Sequence, residues 1–383
     1  MTKIFFAACM YALVCVGFAV YSYSQIDLNL TLSSHWFYQL VQQNLIQLGY
    51  FNRPFSSLIF VVLLFLSFIL YGFILVNIEK SRIKIHDAWK IILPIYIVAF
   101  FAYPAFSHDI FNYMFDARIV TMYGVSPYEF TALDFPNDLW TRFMHWTHRT
   151  YPYGPIWLLI TIPFSFLGMN KFVITLFLYK LIFLLSTLGA VYKITEITKK
   201  IVPHRSHIFS MLFFGLNPLV IIEGVISPHN DVVMFFLAIC SISLLFNKKA
   251  FLSYFLIVIS AGIKFLSIAY LPFMVARKRM SHDMLFIVLA IASVIGLVPV
   301  VLMREFYPWY FVPIVGFMSM VRYRPLHIFT IAFTGALLSR YIPYLYYGEY
   351  ITEAVYVQNI VFCSILLAGC IVTFLNHKKI LRI

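Results

Sequence analysis

The side chains of this chain that could do chemistry fall in four short stretches between apolar runs. The first begins at Ser107 and reads SHDIFNYMFDARIVTMYGVSPYEF. Asp109, Asn112, Tyr113 and Asp116 recur there at i, i+3, i+4 and i+7, one face of a helix, with Arg118 roughly opposite Asp109. The others are Ser227-Pro228-His229-Asn230-Asp231, the isolated Lys264, and Arg304-Glu305-Phe306-Tyr307-Pro308-Trp309-Tyr310. A carboxylate of this kind can take the proton of an attacking hydroxyl. Cations beside it can stabilise a departing phosphate. Each residue also fits a plainer role. Asp109 after Ser107 and Asp231 after Pro228 stand where helix N-caps stand. Asp116 fits a solvated helix face, and His229 a surface histidine. Lys264 at a hairpin apex fits a snorkelling lysine, Arg304 a partner for Glu305 or lipid phosphate, and Trp309 and Tyr310 an aromatic belt. Lys180 lies deep in an apolar run with no evident partner.

The elements that must position these residues are set by composition. Of 383 residues, 62% are hydrophobic and 11% charged, with a mean hydropathy of +0.88. That leaves too little polar surface for a soluble domain and predicts an all-α polytopic membrane protein, read as a single membrane domain over 1–383. Twelve crossings are expected near 4–24, 57–78, 89–106, 171–192, 207–226, 230–247, 250–262, 265–276, 283–303, 308–320, 325–343 and 354–375. The first reads as a retained helix, not a cleaved signal. The short stretch 156–167 reads as interfacial or re-entrant. Nineteen of the 28 Lys and Arg sit in Lys3, the last few residues and the turns at 80–90, 193–205, 248–249, 277–279 and 322–324. That face sums to +15 and the rest of the chain to −2. The asymmetry makes the basic turns and both termini cytoplasmic, and anionic lipid of the inner membrane accounts for the charge without nucleic acid. The loop 107–152 and the other three stretches then face outward.

That outer loop should form a helix from Asp109, lying amphipathically at the bilayer surface and ended by Gly124 and Pro127. A second amphipathic piece follows from Asp138, with Trp140, Phe143, Met144 and Thr147 on one face and Arg142, His145 and Arg149 near the other. Tyr151-Pro152-Tyr153-Gly154-Pro155 closes the loop. The five cysteines all fall in apolar runs without ligand spacing. No metal or cofactor is expected, and no Walker motif, DxD pair or nucleotide-binding glycine loop is present. Carboxylates, cations and surface helices at one boundary fit a site for a lipid-borne anion, its head in water and its tail in lipid.

The ordered string Asp109–Tyr113–Asp116–Arg118–Gly124–Pro127–Tyr128, then Tyr153-Gly154-Pro155, resembles the outer-loop signature of bacterial GT-C mannosyltransferases that use polyprenyl-phosphate-linked sugar. His229-Asn230-Asp231, Lys264 followed by Leu271-Pro272, and Pro308-Trp309-Tyr310 continue the resemblance in the same order, so it spans about residues 100–312. Phe111, Ala117 and His108 depart from the usual tyrosine, glycine and acid. The resemblance implies a GT-C fold with interfacial helices in the outer loop. It implies an inverting transferase moving a hexose, mannose above all, from a polyprenyl phosphate to an outward-facing glycan or glycolipid. Asp109 would be the base, with Asp116 and Asp231 as further catalytic carboxylates. Arg118, Lys264 and Arg304 would hold the donor phosphate, and Tyr113, Tyr128, Tyr153, His229, Asn230, Trp309 and Tyr310 would line the substrate site. A lipid-linked oligosaccharide flippase or other transporter also fits the hydropathy. It should show internal repeats and helices broken at mid-membrane, and no repeat is visible.

Overall fold

The computed structural model describes residues 2–78, 81, 83–201, 206–303, 305–349 and 351–380. Among them the regular elements are helical: α1 Thr2–Ser22, α2 Trp36–Ile46, α3 Arg53–Ile78, α4 Ile85–Phe100, α5 Asp109–Tyr123, α6 Pro155–Leu167, α7 Phe172–Ile201, α8 Ser206–Gly215 and α9 Pro218–Ile221. The chain continues through α10 Asn230–Phe246, α11 Ala250–Ala261, α12 Leu271–Ala276, α13 His282–Met303, α14 Val312–Met318, α15 Arg324–Ser339, α16 Tyr341–Tyr347 and α17 Thr352–Ile380. Among the described residues, six stretches are long and apolar enough to cross a bilayer: 2–25, 53–78, 172–201, 282–300, 324–347 and 352–375. The protein is a multi-pass membrane protein.

The other expected crossings take a different form. A hydrocarbon core about 30 Å thick needs about 20 helical residues. The helices of 89–106, 230–247, 250–262 and 308–320 are shorter than that, and 265–276 is a 3-10 turn followed by α12. The stretch 207–226 is a pair bent by 55°. Its break has a local cause: Asn217 accepts the Leu219 N–H at 2.9 Å and Pro218 begins the new helix. A π-helical turn, Ile222–Ile226, then carries the chain to the Ser227–Asp231 segment. Helix α4 runs through Pro94 and ends at Phe100, and residues 101–108, Pro104 among them, run irregularly.

Within the loop 107–152, helix α5 is a core element, not a surface one. Ile110 through Ile119 are all buried, polar Asn112, Asp116 and Arg118 included. The i, i+3, i+4, i+7 pattern marks a polar stripe, but the opposite face is covered too, by α6 and α7. The second amphipathic piece is only a five-residue 3-10 turn, Leu139–Phe143, because Asp138 caps it and Met144 leaves in an extended conformation. The short helix α2, in the polar segment 27–53, exposes Trp36 at 70% and Phe37 at 56%. Gly124 ends α5 at φ 69°, the left-handed conformation that favours glycine.

Candidate active site

The irregular segment 101–108 fixes the height of Asp109. Tyr103 N–H donates to Ser22 Oγ at 2.8 Å and Phe106 N–H to Ser227 Oγ at 2.9 Å. Lys180, which sequence left without a partner, binds the carbonyls of Ala102 and Ile226 through its ammonium. These two carbonyls belong to the two segments that carry the site, so one lysine braces both. Its burial is tolerable because each proton it directs at a carbonyl replaces a lost water.

The motif Tyr153-Gly154-Pro155 brings in a third segment. Gly154 N–H donates to Ile263 O at 3.1 Å, and Ile156 N–H to Gly262 O at 3.0 Å. A Cβ on Gly154 would stand 2.1 Å from the Gly262 carbonyl oxygen, so only glycine permits the contact. Two residues on, Lys264 pairs with Asp231 at 2.5 Å, its ammonium 5.7 Å from the Tyr153 ring and 5.4 Å from that of Tyr310.

Asp109 is not the N-cap of α5: His108 holds that position, and Asp109 N–H donates to Ser107 Oγ at 3.3 Å. His229 likewise takes the cap position of α10, leaving Asp231 in its first turn. The capping alternatives for both aspartates therefore fall away. His229 is fully buried, not a surface histidine. Its Nε2 lies 3.0 Å from Ser107 Oγ and 3.8 Å from Asp109 Oδ2, and its ring stacks on Trp309 at 3.8 Å. Trp309 in turn stacks on Tyr307 at 4.5 Å. Burial, and behind it the Lys264 charge, hold the imidazole well below its ordinary range and so neutral. Tyr113 directs its hydroxyl at Asn230 Oδ1 from 3.5 Å, and its ring meets those of Tyr153 and Trp157 edge-on at 5.3 Å. Asp116 is buried as well. Desolvation pushes its carboxyl up to about 8; Arg149 opposes this and Asp109 adds to it. Tyr128 sits at the rim, donating to Tyr153 O at 3.2 Å.

Thus Asp109, Tyr113, Tyr153, His229, Asn230, Asp231, Lys264, Trp309 and Tyr310 converge. Arg118 does not join them. Its Nε binds Asp138 Oδ2 at 2.6 Å, its Nη1 binds Asn170 Oδ1 at 2.9 Å, and its guanidinium lies over Trp140. Arg304 lies outside the described residues. Sequence reading missed Glu223, which is fully buried in the π-turn. It accepts from Tyr341 Oη at 2.8 Å, with Oε2 3.2 Å from His229 Nδ1. An acid inside the run NPLVIIEGVI was the available signal, because a carboxyl at membrane depth is costly. Among the described residues no three His, Cys, Asp or Glu side chains are grouped to hold a metal ion.

The part-buried carboxylate of Asp109, beside a neutral imidazole, can accept a proton from a hydroxyl, and the nearby lysine can stabilise a leaving anion. Residues 9–278 match a protein family described as alpha-(1->6)-mannopyranosyltransferase, N-terminal domain. No curated protein and no solved structure matches the chain.

Proposed function

The chain belongs to this alpha-(1->6)-mannopyranosyltransferase family, which makes it a membrane glycosyltransferase, and on that premise we propose an inverting transfer of mannose from a polyprenyl phosphate to an extracytoplasmic glycan or glycolipid. Asp109 is the base that takes the acceptor's proton as its oxygen attacks the anomeric carbon. The phosphate leaves from the opposite side of that carbon. The observation that carries this reading is the 3.8 Å approach of Asp109 to a fully buried His229, with the Asp231–Lys264 pair entering through a neighbouring turn.

Lys264 neutralises the departing phosphate, with Arg118 and Arg304 as the other candidate cations. Of these, Lys264 is favoured over Arg118, because it lies among the converging residues whereas Asp138 and Asn170 hold Arg118 away from them. Asp116 and Asp231 tune the proton affinity of the base, and Tyr113, Tyr128, Tyr153, Asn230, Trp309 and Tyr310 contact the sugars. Twelve passages of the inner membrane, counting the short and bent helices, put both termini in the cytoplasm and the site outward, as the +15 against −2 charge split requires. A transporter would share the break at Gly215–Pro218. Here the π-turn beyond that break is tied to the Asp109 segment through Lys180, which favours a fixed catalytic frame.

Incubation of purified protein with radiolabelled polyprenyl-phosphate mannose and a panel of glycan acceptors tests the reading. Label should move to an acceptor with inversion of its anomeric configuration. Transfer from a nucleotide sugar alone, or none from any lipid-linked donor, would refute it.

A further inference from the structure

Glu223 is not part of the site that spacing reveals, yet it is the most deeply placed carboxyl near it. The turn that holds it is closed by His229 N–H donating to Glu223 O at 3.0 Å, so the two side chains share one rigid frame. Tyr341 fixes Oε1 from the far side at 2.8 Å. Oε2 has no hydrogen bond, and neither has His229 Nδ1, although the two atoms lie 3.2 Å apart and both residues are fully buried. Two buried polar atoms left unmatched would each carry the cost of their lost water. A single proton between them satisfies both.

We propose that Glu223 is a positioning residue for Asp109: it shares one proton with His229 Nδ1, which fixes the imidazole and keeps Nε2 aimed at Ser107 and Asp109. The inference rests on the reading of Asp109 as the base. Whichever atom holds the proton, the imidazole cannot turn without breaking the bridge, and Trp309 stacked on its face blocks tilting. Other groups around the pair are Lys264 and Asp231 on the side of α10, Asp116 and Arg149 beyond Asp109, and the Tyr113 and Tyr153 hydroxyls. Their charges are common to wild type and variants, so a change on substituting Glu223 reports the bridge.

The test is Glu223→Leu in the full-length protein, with Glu223→Leu/Tyr341→Phe as the variant in which both hydrogen-bonding partners become apolar and folding is least disturbed. Side-chain ¹⁵N signals of His229, assigned by their loss in His229→Asn, should differ between wild type and both variants. In the transfer assay kcat should fall about 10-fold or more, with the donor KM held within about twofold. Glu223→Gln, whose amide N–H can still donate to Nδ1, should recover most of that loss. His229 signals identical to wild type in the double variant would overturn the proposal. So would a Gln variant no faster than the Leu variant. If wild type transfers nothing from a polyprenyl-phosphate donor, the donor reading fails instead, and the His229 signals alone decide this inference.

Discussion

Two charged clusters contact the same helix, α5, and they are built on opposite rules. At its C-terminal half the Arg118–Asp138 cluster is saturated. Asp138 Oδ2 accepts from Arg118 and from Tyr123 Oη at 2.7 Å, and Oδ1 accepts the Trp140 N–H at 3.0 Å. Burial acts to raise the Asp138 carboxyl, but the Trp140, Arg118 and Tyr123 donors outweigh it and hold it below its usual range. At its N-terminal half the cluster is under-filled. Asn112 Oδ1, Asn230 Nδ2 and Asp231 Oδ1 are buried without hydrogen-bond partners. Folded proteins pair nearly all such atoms. A group of exceptions in one place marks where a ligand's hydroxyls and phosphate would complete the bonding, whereas a saturated cluster holds the fold.

The sharpest way to break this contrast is Asp109→Asn. It should lose about 10²-fold or more in kcat with thermal stability in detergent unchanged, the scale of a missing general base. Near-normal turnover would move the role to Asp116 or Asp231. Arg118→Gln should do the reverse. It strands Asp138 without its cation, and should cost about 3 kcal/mol of stability, the lower end for a broken buried pair. Donor affinity should stay put, and a weakened donor KM with intact stability would place Arg118 at the phosphate after all. Lys264→Gln should raise donor Kd about 10-fold, one charge-assisted hydrogen bond's worth, while acceptor KM holds; equal effects on both would deny it the phosphate. The smallest effect is pH-dependent. Asp116 has a folded value near 8 against an ordinary 3.8, so its favourable contribution is complete below about pH 4 and is lost as pH rises toward 8. Asp116→Asn should therefore melt higher than wild type at pH 7.5 and nearly equally at about pH 3.5 or below. A melting point that does not separate with pH would mean that Asp116 is not held neutral.

Spacing along the chain made the under-filled cluster readable, because its residues are ionisable groups stranded at the ends of apolar runs. It did not distinguish that cluster from Arg118, whose partner Asp138 is twenty residues away and set by a loop path. Periodicity found α5 but gave it a wet face. A polar stripe reads the same whether it meets water or other buried polar atoms. The count of crossings is subject to a similar ambiguity: apolar length along the sequence does not reveal breaks such as Asn217-Pro218, or the 3-10 turn Phe265–Tyr270. Glu223 escaped because Tyr341 comes from an element over one hundred residues away, and the π-turn that brings His229 back onto it leaves no mark in the spacing.

The brace at Lys180 bears on how the protein is made. A lysine in the middle of an inserting helix costs roughly 2.5–3.5 kcal/mol at the translocon, so α7 enters the bilayer on the strength of its leucines and phenylalanines. The Ala102 carbonyl has already emerged from the ribosome when Lys180 does, whereas the Ile226 carbonyl follows 46 residues later. Between those moments the ammonium is only half accommodated. Biosynthesis thus has a natural order: the Ala102 carbonyl is there for the lysine first, and arrival of the π-turn with Glu223 and His229 completes the brace before Lys264, Trp309 and Tyr310 are added to the site.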